Sequence, residues 1–183
     1  MKAKSIRTNG GAVLLPWLLT VGTIPMATIN STNFSGDTLE IIAFRLHDQE
    51  FCVKTTTIRE IRGWAPSTPI PHAPADVIGV MNLRGSVIPI IDLAFKLGMK
   101  STVANERSAI VVAEVHNMVI GMLVDRVSDI LTISSSQVQP VPEVTASFDR
   151  AFCEGIIASE NGMICFLNLA KMFKESETDD LAA

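Results

Sequence analysis

A repeat constrains this chain more than any other feature. The segment Gly79 to Leu97 (GVMNLRGSVIPIIDLAFKL) aligns without gaps on Gly155 to Phe173 (GIIASENGMICFLNLAKMF), 76 residues further on. Gly79, Ile88, Leu93 and Ala94 recur as Gly155, Ile164, Leu169 and Ala170, and Asp92 becomes Asn168. Upstream, Ile58-Arg59-Glu60-Ile61 is echoed by Val127-Ser128-Asp129-Ile130. Any two hairpins look somewhat alike, but three elements recurring in order favour duplication. Two halves of roughly 70 residues imply two small units, each marginal alone, so a core shared between them is expected.

Short strands and turns fill the rest. LEIIAFRL and FCVKTTTI flank a polar HDQE turn, the pattern of a hairpin. Val77 to Leu83 and Val87 to Leu93 flank Arg84-Gly85-Ser86, and Ser108 to Val115 and Met118 to Val127 flank His116-Asn117. Gly155 to Ser159 and Met163 to Leu169 surround Glu160-Asn161-Gly162, where Asn-Gly signals a tight turn. Helical signals are confined to Leu93 to Leu97 and Leu169 to Lys174. Pro66, Pro69, Pro71 and Pro74 crowd one loop, since proline cannot serve a central strand. This pattern predicts an all-β fold of closed or nearly closed barrels.

Several function classes are excluded on chemistry. Fifteen Lys+Arg against 19 Asp+Glu leave a net charge of −4, the wrong sign for a phosphate-backbone binder. Neither GxGxxG nor a P-loop occurs, so no nucleotide cofactor is expected. Cys52, Cys153 and Cys165 lie far apart and form neither a disulfide framework nor a zinc signature; Cys52 and Cys165 fit small core residues. His47, His72 and His116 sit in or beside turns without ligand partners, so no metal is expected. Asp92 has Asn168 as its repeat mate, which points to a cap or turn role instead of acid/base work. Nothing converges on a reacting atom, so the chain is not expected to be an enzyme. Two polar residues do stand out at strand ends, Glu60 between apolar neighbours and Arg84 on a turn. They form either an internal salt bridge or solvated edge, or the charged rim of an aliphatic groove that fixes a docked partner. Spacing alone does not choose between them.

The N-terminus admits three readings. Lys2, Lys4 and Arg7 precede a mostly apolar stretch from Ala12 to Met26, as in a secretory signal. Pro16, Gly22 and Pro25 break it, and a spanning helix needs about 20 apolar residues. The stretch is a signal, a disordered or appended leader, or the product of a start placed ahead of a true initiator at Met26. The third is favoured, because residues 27–37 read as a polar lead-in to a cytosolic domain.

The residues also resemble a known family. FRLHDQEFCV, TTIREIRGW, GVMNLRGSVIPIIDL and GMLVDRVSDIL are together similar to the CheW domain, the adaptor of bacterial chemotaxis arrays. The resemblance covers roughly Thr38 to Lys174. It implies two intertwined SH3-like barrels with short helices, in keeping with the repeat. It implies a non-enzymatic scaffold, in the cytoplasm beside membrane-bound receptor arrays. Its partners would be the cytoplasmic tips of methyl-accepting chemoreceptors and the regulatory domain of the histidine kinase CheA. Family positions for the receptor groove fall on Ile58, Glu60 and Arg84 in the first half and on Val127 and Ile130 in the second. Gly79 matches a position implicated in kinase contact, where a glycine permits close backbone approach. The leader and the step Pro71 to Pro74 depart from the family pattern without touching these positions.

The expected organisation is a leader over residues 1–37, a domain over 38–176 and an acidic tail over 177–183. The domain divides at about 105/106, with exchange of strands between the halves left open. The chain lacks the kinase domains and receiver domain of other members that carry this fold, so a free-standing adaptor is expected. The alternative is a small exported barrel that binds a ligand or envelope partner, should the leader be a real signal.

Overall fold

Two-residue turns between short apolar runs build most of the structure. A computed structural model describes residues 38–142, 150–160 and 162–173. Expectations for the leader (1–37) and the acidic tail (177–183) concern residues outside these. The described residues belong to one unit, Gly36–Ala183.

The chain begins with the hairpin β1 (Thr38–Leu46) and β2 (Gln49–Lys54), and a 3-10 turn at Thr55–Thr57 leads into β3 (Ile58–Gly63). After the proline-rich loop come β4 (Val77–Leu83), β5 (Ser86–Asp92) and the short helix α1 (Leu93–Lys96). The second series is β6 (Ala109–Val115), β7 (Met118–Val124), β8 (Arg126–Ser134), β9 (Val138–Gln139), β10 (Cys153–Ser159), β11 (Gly162–Leu167) and α2 (Leu169–Met172). Arg84 and Gly85 lie at φ 52° and 92°, and His116 and Asn117 at 48° and 64°. Positive φ at both central residues is the hairpin geometry that matches strand twist. His47, His72 and His116 all occupy positive φ, so each histidine is a turn residue, as expected. Asp92 Oδ1 accepts a hydrogen bond from the Phe95 amide at 3.2 Å and starts α1. Asn168 Oδ1 does the same for Lys171 at 3.0 Å and starts α2. The cap role read from the Asp92/Asn168 pair is therefore what the fold uses.

Strands β3 and β8 were not legible as strands. Both carry several charged or polar residues and lie at sheet edges, where one side of the ladder is unpaired. The sheets run β8-β1-β2-β11-β10-β9 and β3-β6-β7-β5-β4. Each sheet takes its outer elements from one half of the sequence and a central hairpin from the other. β1 and β2 insert between β8 and β11, while β6 and β7 insert between β3 and β5. The joints are parallel pairings, Phe166 opposite Cys52 and Ile90 opposite Gly121.

The duplication extends to register and irregularity. Ile58 opposes Ala113 and Glu60 opposes Val112, with a bulge between them. In the other sheet Val127 opposes Phe44 and Asp129 opposes Ala43, again across a bulge. A second bulge separates Val77 from Gly79, and its counterpart separates Cys153 from Gly155. Conserving a bulge keeps the local twist and the aim of the flanking side chains.

Exchange of hairpins explains why the strands read as continuous apolar runs. The largest core cluster draws on both sheets and both helices, through Phe44, Phe51, Leu93, Val111, Met122, Leu167 and Phe173. Each sheet also closes over a smaller core of its own. Ile41, Cys52, Ile164 and Phe166 fill that of the six-stranded sheet; Ile88, Ile90, Ile110 and Val112 fill that of the five-stranded sheet. In β6, Ile110 and Val112 face the private core while Val111 and Ala113 face the shared one. A strand buried on both faces has no polar alternation to show.

Candidate functional site

Glu60 and Arg84 meet. Arg84 Nη2 lies 2.7 Å from Glu60 Oε2, joining the edge strand β3 to the β4–β5 turn. Asn82 Oδ1 accepts the Gly85 amide at 2.9 Å and holds that turn. The pair closes the mouth of a groove of about 240 Å³ whose apolar floor is Leu83, Ile88, Val112 and Val119. The Arg84 side chain is 84% exposed and that of Glu60 only 23%, so the carboxylate is anchored and the guanidinium reaches into solvent. An ion pair this exposed adds about 0–1 kcal/mol to stability. The fold therefore does not depend on it, and the paired guanidinium still presents most of its surface to solvent.

The bulge aims Glu60 into this groove, while Arg59 bonds Glu114 at 2.7 Å. Ile58 does not line the groove; it packs half-buried against the shared core. Val127 also packs against the shared core and lines a separate groove on the six-stranded sheet. Ile130 is 59% exposed on β8 and lines neither groove. Of the five receptor-groove positions, then, the structure brings Glu60 and Arg84 into contact and spreads the rest along β3 and β8.

The second groove was missed by sequence reasoning. It measures about 560 Å³, and Glu50, Arg126, Asp129 and Glu160 line it with Ala43, Leu131 and Ile164. The repeat could have located it: Asp129 is the counterpart of Glu60, and Glu160 that of Arg84.

Gly79 is buried, and the close approach it permits is made by this chain. A Cβ there would stand 2.4 Å from the Thr68 carbonyl oxygen. Thr68 and Val80 exchange two backbone hydrogen bonds of 2.8 Å, fastening the proline-rich loop to β4. A Cβ on Gly155 would likewise meet Val138 Cγ1 at 2.5 Å and the Gln139 carbonyl at 2.7 Å. Beside Gly79, the bulge leaves Ile78 37% exposed.

The three thiols are buried. Burial pushes Cys52 up to about 12, and the hydrogen bond shared with the Cys153 thiol, together with burial, holds Cys165 far above the usual thiol range. Cys153, sharing a hydrogen bond with Cys165, is lowered to about 7. The turn histidines donate to carbonyls, His47 Nε2 to Lys100 at 2.7 Å and His116 Nε2 to Ala170 at 2.9 Å. Among the described residues no three His, Cys, Asp or Glu side chains are placed to hold a metal ion, and no helix is long and apolar enough to cross a membrane.

Against known proteins, residues 40–177 match the CheW-like domain. The chemotaxis protein CheW of Rhizobium meliloti (strain 1021) is 51% identical over 140 residues, spanning 76% of this chain and 90% of that protein. That of Klebsiella aerogenes is 30% identical over 154 residues, spanning 83% of this chain and 92% of the relative. The crystal structure of the scaffolding protein TtCheW from Thermoanaerobacter tengcongensis matches with a TM-score of 0.70. It is 29% identical and covers 77% of this chain and 91% of its own.

Proposed function

The chain belongs to the CheW-like domain family and is a chemotaxis scaffold, and from that premise we propose that it couples methyl-accepting chemoreceptor tips to the histidine kinase CheA without transforming a substrate. The observation that carries this reading is the Glu60–Arg84 pair, 2.7 Å apart, at the mouth of a groove floored by aliphatic side chains. Apolar burial supplies most of the affinity of such a surface, and rim charges set register and exclude wrong partners. A helical receptor tip lies across β3 and the β4–β5 turn in a helix-in-groove mode. Its apolar face also meets Ile58, Val127 and Ile130. The kinase regulatory domain contacts the Gly79 step, where the glycine acts by holding the bulge that exposes Ile78. The protein works in the cytoplasm, held at membrane-bound arrays by these two contacts. An exported ligand-binding barrel is not favoured, since the relatives are chemotaxis proteins.

The test is the charge reversal Arg84→Glu, read against a soluble receptor signalling fragment and against the kinase regulatory domain by calorimetry. Receptor affinity is expected to fall tenfold or more, equivalent to about 1.4 kcal/mol, with kinase affinity unchanged within twofold. If circular dichroism shows Arg84→Glu unfolded, the residue is structural and the groove assignment fails. In reconstitution, receptor fragment should activate the kinase only when this protein is added.

A further inference from the structure

We infer that the groove on the six-stranded sheet is a second docking surface, taking a partner-protein segment that presents an arginine or lysine beside apolar residues. The inference rests on the internal duplication and not on the receptor-coupling reading, although Val127, which that reading gives to the receptor, lies at the edge of this groove. The two grooves are equivalent in register: each lies between a bulged edge strand and the turn of the hairpin that the same half of the chain adds to that sheet. In the five-stranded sheet the strand carboxylate, Glu60, receives a guanidinium from its own hairpin at 2.7 Å. In the six-stranded sheet the strand carboxylate is Asp129, and the hairpin position holds Glu160 in place of arginine. The internal cation is thus replaced by a second anion.

Charge and space agree with this. Among the described residues neither Asp129 nor Glu160 is in an ion pair. Asp129 Oδ1 accepts only from the adjacent Ile130 amide, at 2.8 Å. Glu50 is already engaged, with Arg45 at 3.9 Å and the Ser128 hydroxyl at 3.3 Å. Arg126 is the one cation in the lining, against three carboxylates. The groove is also the larger, about 560 Å³ against about 240 Å³, and its floor includes Leu131 and Ile164. A partner's guanidinium or ammonium takes the place that Arg84 occupies in the first groove, and flanking apolar groups cover the floor. Complementary charge of this kind selects the partner and steers its approach.

The probe is the acetylated, amidated pentapeptide GLRLG, titrated into the isotope-labelled full chain and followed by amide chemical shifts, with GLELG as control. Saturable shifts are expected at Ser128, Asp129, Ser159 and Ile164 with the arginine peptide, and none with the glutamate peptide. Glu160→Arg, which restores an internal cation, should weaken binding at least tenfold. Asp129→Asn should weaken it at least threefold, and Glu60→Gln should leave it unchanged. Equal shifts with both peptides, shifts concentrated at the Glu60 groove, or no saturable shift would each overturn the inference. So would self-association of the free chain, seen by sedimentation and abolished by Glu160→Arg, which would assign the groove to a second copy of this chain.

Discussion

Replacing Gly79 with alanine tests the packing of the repeat at its tightest point. The added Cβ would lie 2.4 Å from the Thr68 oxygen and 2.7 Å from the Thr68 carbonyl carbon, both backbone atoms. Relief requires moving the loop segment that carries two 2.8 Å hydrogen bonds to Val80, or tilting β4 away from it. Overpacking of this kind costs typically 1–3 kcal/mol, and backbone obstruction puts Gly79→Ala toward the upper part of that range. For a domain of this size about 2 kcal/mol lowers Tm by roughly 4–8 °C. At Gly155 the nearest atom is the side-chain Val138 Cγ1 at 2.5 Å, which a rotamer change removes, leaving the Gln139 carbonyl at 2.7 Å. Gly155→Ala should therefore cost less than Gly79→Ala. Thermal unfolding followed by circular dichroism, with urea titration to check that the m-value holds, reads both variants. A Tm within 1 °C of the parent for Gly79→Ala, or a larger loss at Gly155, would refute the reasoning. At a temperature where Gly79→Asp remains folded, kinase affinity should fall more than receptor affinity. Equal losses would remove Gly79 from the kinase surface.

Other expectations follow from single contacts. Asp92→Ala should cost more than Asn168→Ala in urea unfolding. Each loses a helix cap worth about 0.5–2 kcal/mol, but Asp92 is buried and its second oxygen also accepts the Thr102 amide at 3.0 Å. Leu93→Ala should cost about 2–5 kcal/mol and leave one cooperative transition, because Leu93 sits in the core both sheets share; two separate calorimetric transitions would deny that core. Titration with a disulfide reagent at pH 8 should leave Cys52 unreacted until the chain unfolds, since burial keeps it a protonated thiol; native labelling within minutes would contradict this.

The rim pair and the second groove together describe a scaffold whose two units kept one backbone template and changed its charges. Position 84 carries a cation and position 160 an anion at equivalent turns. That difference leaves the backbone register intact while changing the charge at the rim of each groove.

Sequence alone determined the duplication, the hairpins and the capped helices, because each is written in local chemistry. Turn residues sit where φ must be positive, Asp92 and Asn168 stand one position before a helix, and Gly79 and Gly155 recur where a side chain would collide. It also marked Glu60 and Arg84 as unusual, but left open whether they meet. Only the tertiary structure decided the exchange of hairpins. The parallel joints β5–β7 and β2–β11 link residues far apart in the chain, and an apolar run buried on both faces carries no mark of which core each face enters. The same holds for the grooves. Each is formed by an edge strand and a turn that are separated in sequence, and they become neighbours only because the partner half's hairpin lies between them.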